Sequence, residues 1–346
     1  MKKAIVIVPA HNEQEHIEKC VSGLKSQTYP TDVLVSCDRC TDDTEKIAQS
    51  CGAITIQTIN NTGMRSGAIN QGLNKILNNP DYAYVLAMDA DSWCMPNMIE
   101  EGIKVLESNS KLAGVCSRAG VIKPKNPGLV ENILYHLQNI EYGEYDASRI
   151  ECGDMIKVLH GLATLFRIEV LRELREERGY IYDESALVED YALTLDLKKR
   201  GYKATTSMNM IAFTEVPNTV MSLWKQRNRW LLGGLDILKI HGINKYTYWD
   251  ILNQVAFITF MSLNLILAAL LLISSHIVYS PFILLIYGAA YLDSLYRLKY
   301  VQNITLTDIL IKALFFPYFL YGFFHMASQI NAYKSYLMRA KREYEN

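Results

Sequence analysis

The stretch Tyr84–Trp93, YVLAMDADSW, constrains this chain more than any other. An uncharged run, Tyr84–Met88, ends abruptly in Asp89-Ala90-Asp91. Such a run fits a strand buried on both faces of a parallel sheet. Two carboxylates directly after it fall at the carboxyl edge of that sheet, where open α/β folds bind ligands. Hard divalent cations take oxygen ligands, and Mg²⁺ is usually held by one or two carboxylates plus substrate phosphates. A strand closing on Asp-x-Asp therefore points to a metal–diphosphate site. A solvated surface turn is the competing reading, and the neighbouring segments decide between them.

Those segments repeat one pattern. Ala4–Val8 is a short apolar run rich in β-branched residues, which predicts a first strand. It stops at Pro9-Ala10-His11-Asn12-Glu13, and an amphipathic helix runs to about Ser26. Val33–Ser36 predicts a second strand, followed by Cys37-Asp38-Arg39-Cys40. Asp42 with Glu45 resembles a capping box, and Gly52 ends that helix. Ile54–Ile59 predicts a third strand, and Arg65–Leu77 a helix before the Tyr84 run. The order β-α-β-α-β-α-β implies a parallel, doubly wound sheet. Strand ends then bring Asn12 and Glu13, Asp38, Arg65 and the Asp89/Asp91 pair to one edge. No G-x-G-x-x-G follows the first strand and no G-x-x-x-x-G-K-[ST] occurs, so the common dinucleotide and P-loop readings fail.

The net charge of −1 gives no footprint for nucleic acid. No signal peptide precedes Ala4–Val8, and the scattered cysteines, Cys37 and Cys40 included, are expected as unlinked thiols in a reducing cytosol. Composition changes after about Asp250. Val255–Ile273 carries no charge over about the ~20 residues that span a bilayer. Ile277–Leu292 is uncharged but short and contains Pro281. Ala313–Ile330 is aromatic-rich and broken by Pro317.

In order along the chain, PAHNE, CDRCTDDT, GMRSGAIN and DAD resemble the family 2 glycosyltransferases of the GT-A fold. The resemblance implies an α/β fold, a Rossmann-like and mostly parallel GT-A catalytic domain, followed by C-terminal interfacial and transmembrane helices. It implies a nucleotide-sugar donor, a UDP-sugar, held by Pro9, Ala10, His11, Asn12, Glu13, Asp38, Arg65 and Asp89. Asp91, with Asp89, would hold Mg²⁺ or Mn²⁺. Arg65 stands where many members have Lys, and Cys37-Asp38-Arg39 replaces a commoner Asp-Asp/Asn-Gly/Ser.

The second half adds three matches. His160–Arg167, leading into a helix over Ile168–Leu174, resembles the acceptor-side loop, with His160 and Gly161 on the acceptor. Glu189-Asp190 resembles the Glu-Asp motif, whose Asp is the catalytic base. Asp190 also stands about where a helix cap would. Gln226-Arg227-Asn228-Arg229-Trp230 resembles the Gln-x-x-Arg-Trp motif of processive, membrane-bound members, the chitin, hyaluronan, cellulose and poly-N-acetylglucosamine synthases. There Gln and Arg help hold the donor and Trp flanks the acceptor sugar, which maps those roles onto Gln226, Arg229 and Trp230. The same residues also fit a basic amphipathic helix on a membrane surface.

The expected organisation is a cytosolic catalytic domain over 1–220 and interfacial helices over 221–250. Two or three membrane segments over 251–332 and a basic tail over 333–346 complete it. The catalytic part would face the cytosol at the inner membrane. Lys334, Arg339, Lys341 and Arg342 favour two crossings plus one irregular, Pro317-containing segment. The N-terminal spans common in large synthases are not seen, so a secretion channel would need a homo-oligomer. The acceptor is a glycan or a lipid. Transfer to a polyprenyl phosphate is the nearest rival, against which Gln226–Trp230 argues. A non-catalytic, membrane-anchored nucleotide-binding protein is the rival from another class.

Overall fold

The computed structural model describes residues 2–273 and 281–345. It divides into two compact units, Met1–Lys123 with Asp146–Glu215, and Pro124–Tyr145 with Val216–Asn346.

The first unit is built on the predicted alternation. Strands β1 (Lys3–Ala10), β2 (Thr31–Cys37), β3 (Ile54–Gln57) and β4 (Tyr82–Met88) alternate with helices α1 (Ile17–Lys25), α2 (Thr44–Ser50) and α3 (Met64–Ile76). β1 pairs in parallel with β2 and β4, and β2 with β3. Ala4 to Val8 are fully buried, as a strand covered by helices on both faces requires. Gly72 of α3 lies over this sheet, where a Cβ would come within 2.7 Å of Ser36 Oγ.

The expected capping box of α2 does not form. Asp42 Oδ1 accepts from the Thr44 amide (3.1 Å) and hydroxyl (2.5 Å), so the helix starts only at Thr44. Glu45 turns instead to β3, accepting from Thr55 (3.2 Å) and Gln57 (2.8 Å).

Beyond β4 the sheet becomes mixed. The chain continues through β5 (Trp93–Cys94), α4 (Met98–Ser108), β6 (Leu112–Val121), α5 (Leu129–Glu151), β7 (Ala163–Arg167), α6 (Ile168–Arg178), α7 (Glu189–Lys199) and β8 (Lys203–Thr214). The strand order is β3-β2-β1-β4-β7-β6-β8-β5. β7 runs antiparallel to β4 on one side and to β6 on the other. The segment read as a loop ahead of a helix is therefore partly an inverted central strand, with Ala163 opposite Met88 at the β4 end. β6 is buried at all ten positions. Its Arg118 is balanced by Asp146 at 3.4 Å.

The second unit is helical. It contains the first turns of α5, α8 (Val220–His241), α9 (Tyr248–Ile273), α10 (Pro281–Tyr296), a 3₁₀ turn (Arg297–Tyr300), α11 (Leu306–Ala313) and α12 (Phe316–Glu345). Thr219 and Ser222 form a reciprocal capping box at the start of α8, and Thr305 and Asp308 another at α11. Asp308 also accepts from Asn139 of α5 (3.3 Å) and bonds His136 of α5 (2.8 Å), while Lys312 meets Glu144.

Tyr248–Leu267 is long and apolar enough to cross a bilayer, and Leu263 and Ile266 on it are exposed. α11 and α12 pass the same test only as a pair, bent by 79°. The bend sits at Leu314-Phe315, just before Pro317, and Phe315 has φ +59°. The apolar stretch Ile277–Leu292 has its first four residues outside the described ones and the rest in α10.

Candidate active site

Arg65, in the first turn of α3, organises the carboxyl edge of the sheet. Its Nε donates to Asp89 Oδ1 (2.7 Å), Nη1 to Glu189 Oε1 (2.6 Å) and Nη2 to the Gly161 carbonyl (2.7 Å). One planar fork thus reaches the Asp-x-Asp turn, the loop before β7 and the first turn of α7, which a point-like ammonium cannot do. A Cβ at Gly161 would lie 2.9 Å from Arg65 Nη2, so any side chain there displaces the guanidinium.

Asp190 closes the arrangement from the other side. Its Oδ2 accepts from the Gly161 amide (3.1 Å) and its Oδ1 from the Tyr191 amide (2.8 Å). It is not the helix cap, because α7 begins at Glu189 after Val188. Burial first, and the Glu189 carboxylate second, push the Asp190 pKa up to about 6, with Arg65 pulling it back. Asp89 is likewise raised to about 6 by burial, against the pull of Arg65. At neutral pH both are mainly ionised.

Asp91 has a different environment. Its Oδ1 accepts from Ser92 (2.9 Å), and its other oxygen has no protein donor among the described residues. Burial raises its pKa, the Ser92 bond resists, and the carboxylates of Glu13 and Glu215 raise it further. His16 stands between those two, with Nδ1 3.1 Å from Glu13 and Nε2 3.3 Å from Glu215. Burial opposes the charged ring, yet Glu13, Glu215 and Asp91 together raise its pKa. The Asp91 oxygen that Ser92 leaves free is a hard ligand in a negative field, which suits a divalent cation. Among the described residues no three His, Cys, Asp or Glu side chains form a protein-only cage. A cation that shares its shell with phosphates does not need one.

At the β1 and β2 ends, the Ala10 carbonyl accepts from the Asp38 amide (2.8 Å) and the Cys40 thiol (3.4 Å). Pro9 pairs in register with Ser36. His11 Nδ1 meets the Asp38 carbonyl (2.6 Å), Asn12 Oδ1 accepts from the Thr41 amide (2.8 Å), and the Glu13 amide donates to Thr44 (2.7 Å). The buried Asp38 carboxylate accepts from Thr58 (2.7 Å). His160 bonds the Ser117 carbonyl through Nε2 (2.8 Å), and burial holds its pKa near 3, so the ring is neutral.

Residues 5–175 match the glycosyl transferase family 2 model. They form a family 2 glycosyltransferase domain. Glu189-Asp190 and Gln226–Trp230 lie beyond the matched residues. The chain is 27% identical over 244 residues to the poly-β-1,6-N-acetyl-D-glucosamine synthase of Staphylococcus aureus strain COL, covering 67% of this chain and 54% of that one. It is 26% identical over 289 residues to the Staphylococcus epidermidis enzyme, covering 78% and 65%. The chain thus spans between half and two thirds of these curated relatives. A mannosyltransferase from Pyrobaculum calidifontis, solved with GDP-Man and Mn²⁺, shares the fold with a TM-score of 0.58 at 17% identity, covering 97% of this chain and 87% of that one. The sheet of this chain is of the mixed GT-A type.

The first unit brings together Asp89, Arg65, Gly161, Glu189 and Asp190 in one network, while Glu13 and Glu215 meet on His16 and act on Asp91 through their charge. Asp38 stands apart from both, bonded to β1 and Thr58. Gln226, Arg229 and Trp230 belong to the second unit, on α8. Arg229 is exposed, whereas its neighbour Arg227 is buried. Two contributors escape sequence reasoning: Glu215 and Thr58. His16 was legible in principle, one helical turn after Glu13.

Proposed function

We propose that this glycosyltransferase moves a hexose from a UDP-sugar to a hydroxyl acceptor with inversion, building a β-linked glycan at the membrane. The observation that carries this reading is the Arg65 fork, which ties the Asp-x-Asp turn to the acceptor-side loop and to Glu189, next to Asp190. The likeness to poly-N-acetylglucosamine synthases supports UDP-GlcNAc as the first donor to test.

In this reading Asp190, ionised at neutral pH, takes the proton of the attacking hydroxyl. The new C–O bond forms at the anomeric carbon as the bond to the diphosphate oxygen breaks, and UDP departs. Mg²⁺ or Mn²⁺ held by Asp91, with Asp89 in support, would neutralise charge on that leaving group. Arg65 adds positive charge at the same edge and fixes the carbonyl of Gly161. Its charge partly offsets the repulsion that Glu189 exerts on the base. Pro9 to Glu13 and Asp38 recognise the uracil end. The family's pattern assigns Gln226 and Arg229 to the diphosphate and Trp230 to the acceptor sugar, whose ring would stack on the indole. His160, neutral and bonded to β6, shapes the acceptor side without adding charge. The exposed apolar face of α9 supports a bilayer anchor, with the catalytic unit in the cytosol.

UDP release by detergent-purified protein, across a panel of UDP-sugars with Mg²⁺ or Mn²⁺, tests this. Donor-specific, metal-dependent release that Asp190→Asn abolishes, with UDP binding kept, is the expected result. Full transfer by Asp190→Asn would remove Asp190 as the base. Absence of binding for every nucleotide sugar would refute the enzyme reading.

A further inference from the structure

The motif on α8 contains a residue with no assigned role, Arg227, and it is the motif's buried cation, 2% exposed. Its Nη2 donates to Glu141 Oε2 of α5 (2.7 Å), in a pair whose side chains are 3% and 5% exposed. Its Nη1 donates to Gln226 Oε1. Its guanidinium carbon lies 4.4 Å from the centroid of the Trp230 ring. Nε has no hydrogen-bond partner among the described residues. Glu141 is in turn fixed by the Tyr321 hydroxyl (2.7 Å) and by Tyr145. All of these residues belong to the second unit.

Two consequences follow from elementary chemistry. A guanidinium has donors only, so the Gln226 atom facing it is the amide oxygen, and the two N–H bonds of Gln226 are left to point elsewhere. A side chain that grips phosphate oxygens must present donors, and Arg227 enforces that orientation. A cation over one face of an indole occupies that face and leaves the opposite one for another flat partner. Burying an ion pair costs desolvation that a packed apolar pair would avoid, so a merely adhesive role is a poor account of it.

We propose that Arg227, anchored on Glu141, is a positioning residue that sets the amide of Gln226 donor-outward and holds Trp230 with one face open. This deepens the glycosyltransferase reading and rests on it for the ligands that Gln226 and Trp230 meet.

The test uses the full-length, detergent-purified chain. UDP affinity with Mn²⁺ is measured for Arg227→Met, Gln226→Ala and the double variant. Emission from Trp230, isolated by difference against Trp230→Phe, is recorded without ligand. Arg227→Met and Gln226→Ala should each weaken UDP binding about tenfold, the worth of one charge-assisted hydrogen bond. The double variant should be no weaker than the weaker single one. Arg227→Met alone should alter Trp230 emission, because the cation leaves its ring. Additive losses, wild-type affinity in Arg227→Met, or unchanged emission would each overturn the proposal. If Arg227→Met does not fold, Arg227→Lys keeps the charge near Glu141 but cannot bridge Glu141, Gln226 and the indole together. It should show the same UDP loss at an unchanged melting temperature, and wild-type affinity in it would overturn the proposal equally. A wild-type chain that binds no UDP would refute the functional reading, while the ligand-free emission still decides the role of Arg227.

Discussion

Arg65→Lys keeps a positive charge at the site and removes only the fork, so it isolates geometry from charge. The guanidinium makes three bonds of 2.6–2.7 Å, two of them to carboxylates. A single ammonium loses at least one carboxylate partner. A hydrogen bond to a charged group contributes about 1.5–3 kcal/mol. Arg65 is 28% and Asp89 33% exposed in their side chains, which argues for the lower part of that range. Loss of about 1.5–2 kcal/mol corresponds to a fall of roughly 10- to 30-fold in kcat/KM.

Arg65→Met removes the charge as well, and pH separates the two variants. Wild-type kcat/KM should rise through the Asp190 pKa of about 6, because the base works only when ionised. Arg65 lowers that pKa. Without the cation the acidic limb should move to higher pH, whereas Arg65→Lys should leave it nearly in place. The assay is initial-rate UDP release from pH 5 to 9 with thermal melts as a folding control. Wild-type rates in Arg65→Lys, or an unmoved acidic limb in Arg65→Met, would refute the reasoning.

Three further outcomes are expected. Gly161→Ala forces a Cβ to within 2.9 Å of Arg65 Nη2 and should cost roughly 1–3 kcal/mol of stability with a marked loss of turnover, read by melts and rates on one preparation. Thr58→Val deprives the buried Asp38 carboxylate of its 2.7 Å donor; UDP binding should weaken by roughly tenfold, measured by calorimetry, while metal affinity is unchanged. Chelation with EDTA should stop UDP release and added Mn²⁺ should restore it, and Asp91→Asn should raise the Mn²⁺ concentration needed.

The parallel half of the sheet was legible because it obeys one rule. Ala4–Val8 and Tyr84–Met88 are continuous uncharged runs bounded by polar turns, and they sit inside β1 and β4, which extend one or two residues further at one or both ends. The mixed half hides its strands. β6 carries Ser117 and Arg118 amid buried positions, and a distant partner, Asp146, balances that charge. β7 is five residues among small side chains, which local pattern cannot separate from a loop. The site residues were legible as types in an order. That Arg65 would bond Glu189, 124 positions away, belongs to sheet topology rather than to either segment. The motif on α8 was legible too, but the division of labour between Arg227 inside and Arg229 outside was not, since both sit in one basic run.

The inverted strand β7 has a consequence for how the enzyme is assembled. Had it run parallel to β4, the Gly161 loop would open at the far edge, about 17 Å away at ~3.4 Å per residue. Inversion places that loop beside Asp89, and the Asp89 amide continues the ladder by donating to the Leu162 carbonyl at 3.2 Å. The Asp-x-Asp turn and the Gly161 loop are thus stitched by a backbone bond spanning more than seventy positions, a contact of high loop-closure cost. On the proposed mechanism, catalytic competence requires the closing of this seam. The exchange rate of a single amide proton, that of Asp89, would therefore serve as a clock for the maturation of the whole active site.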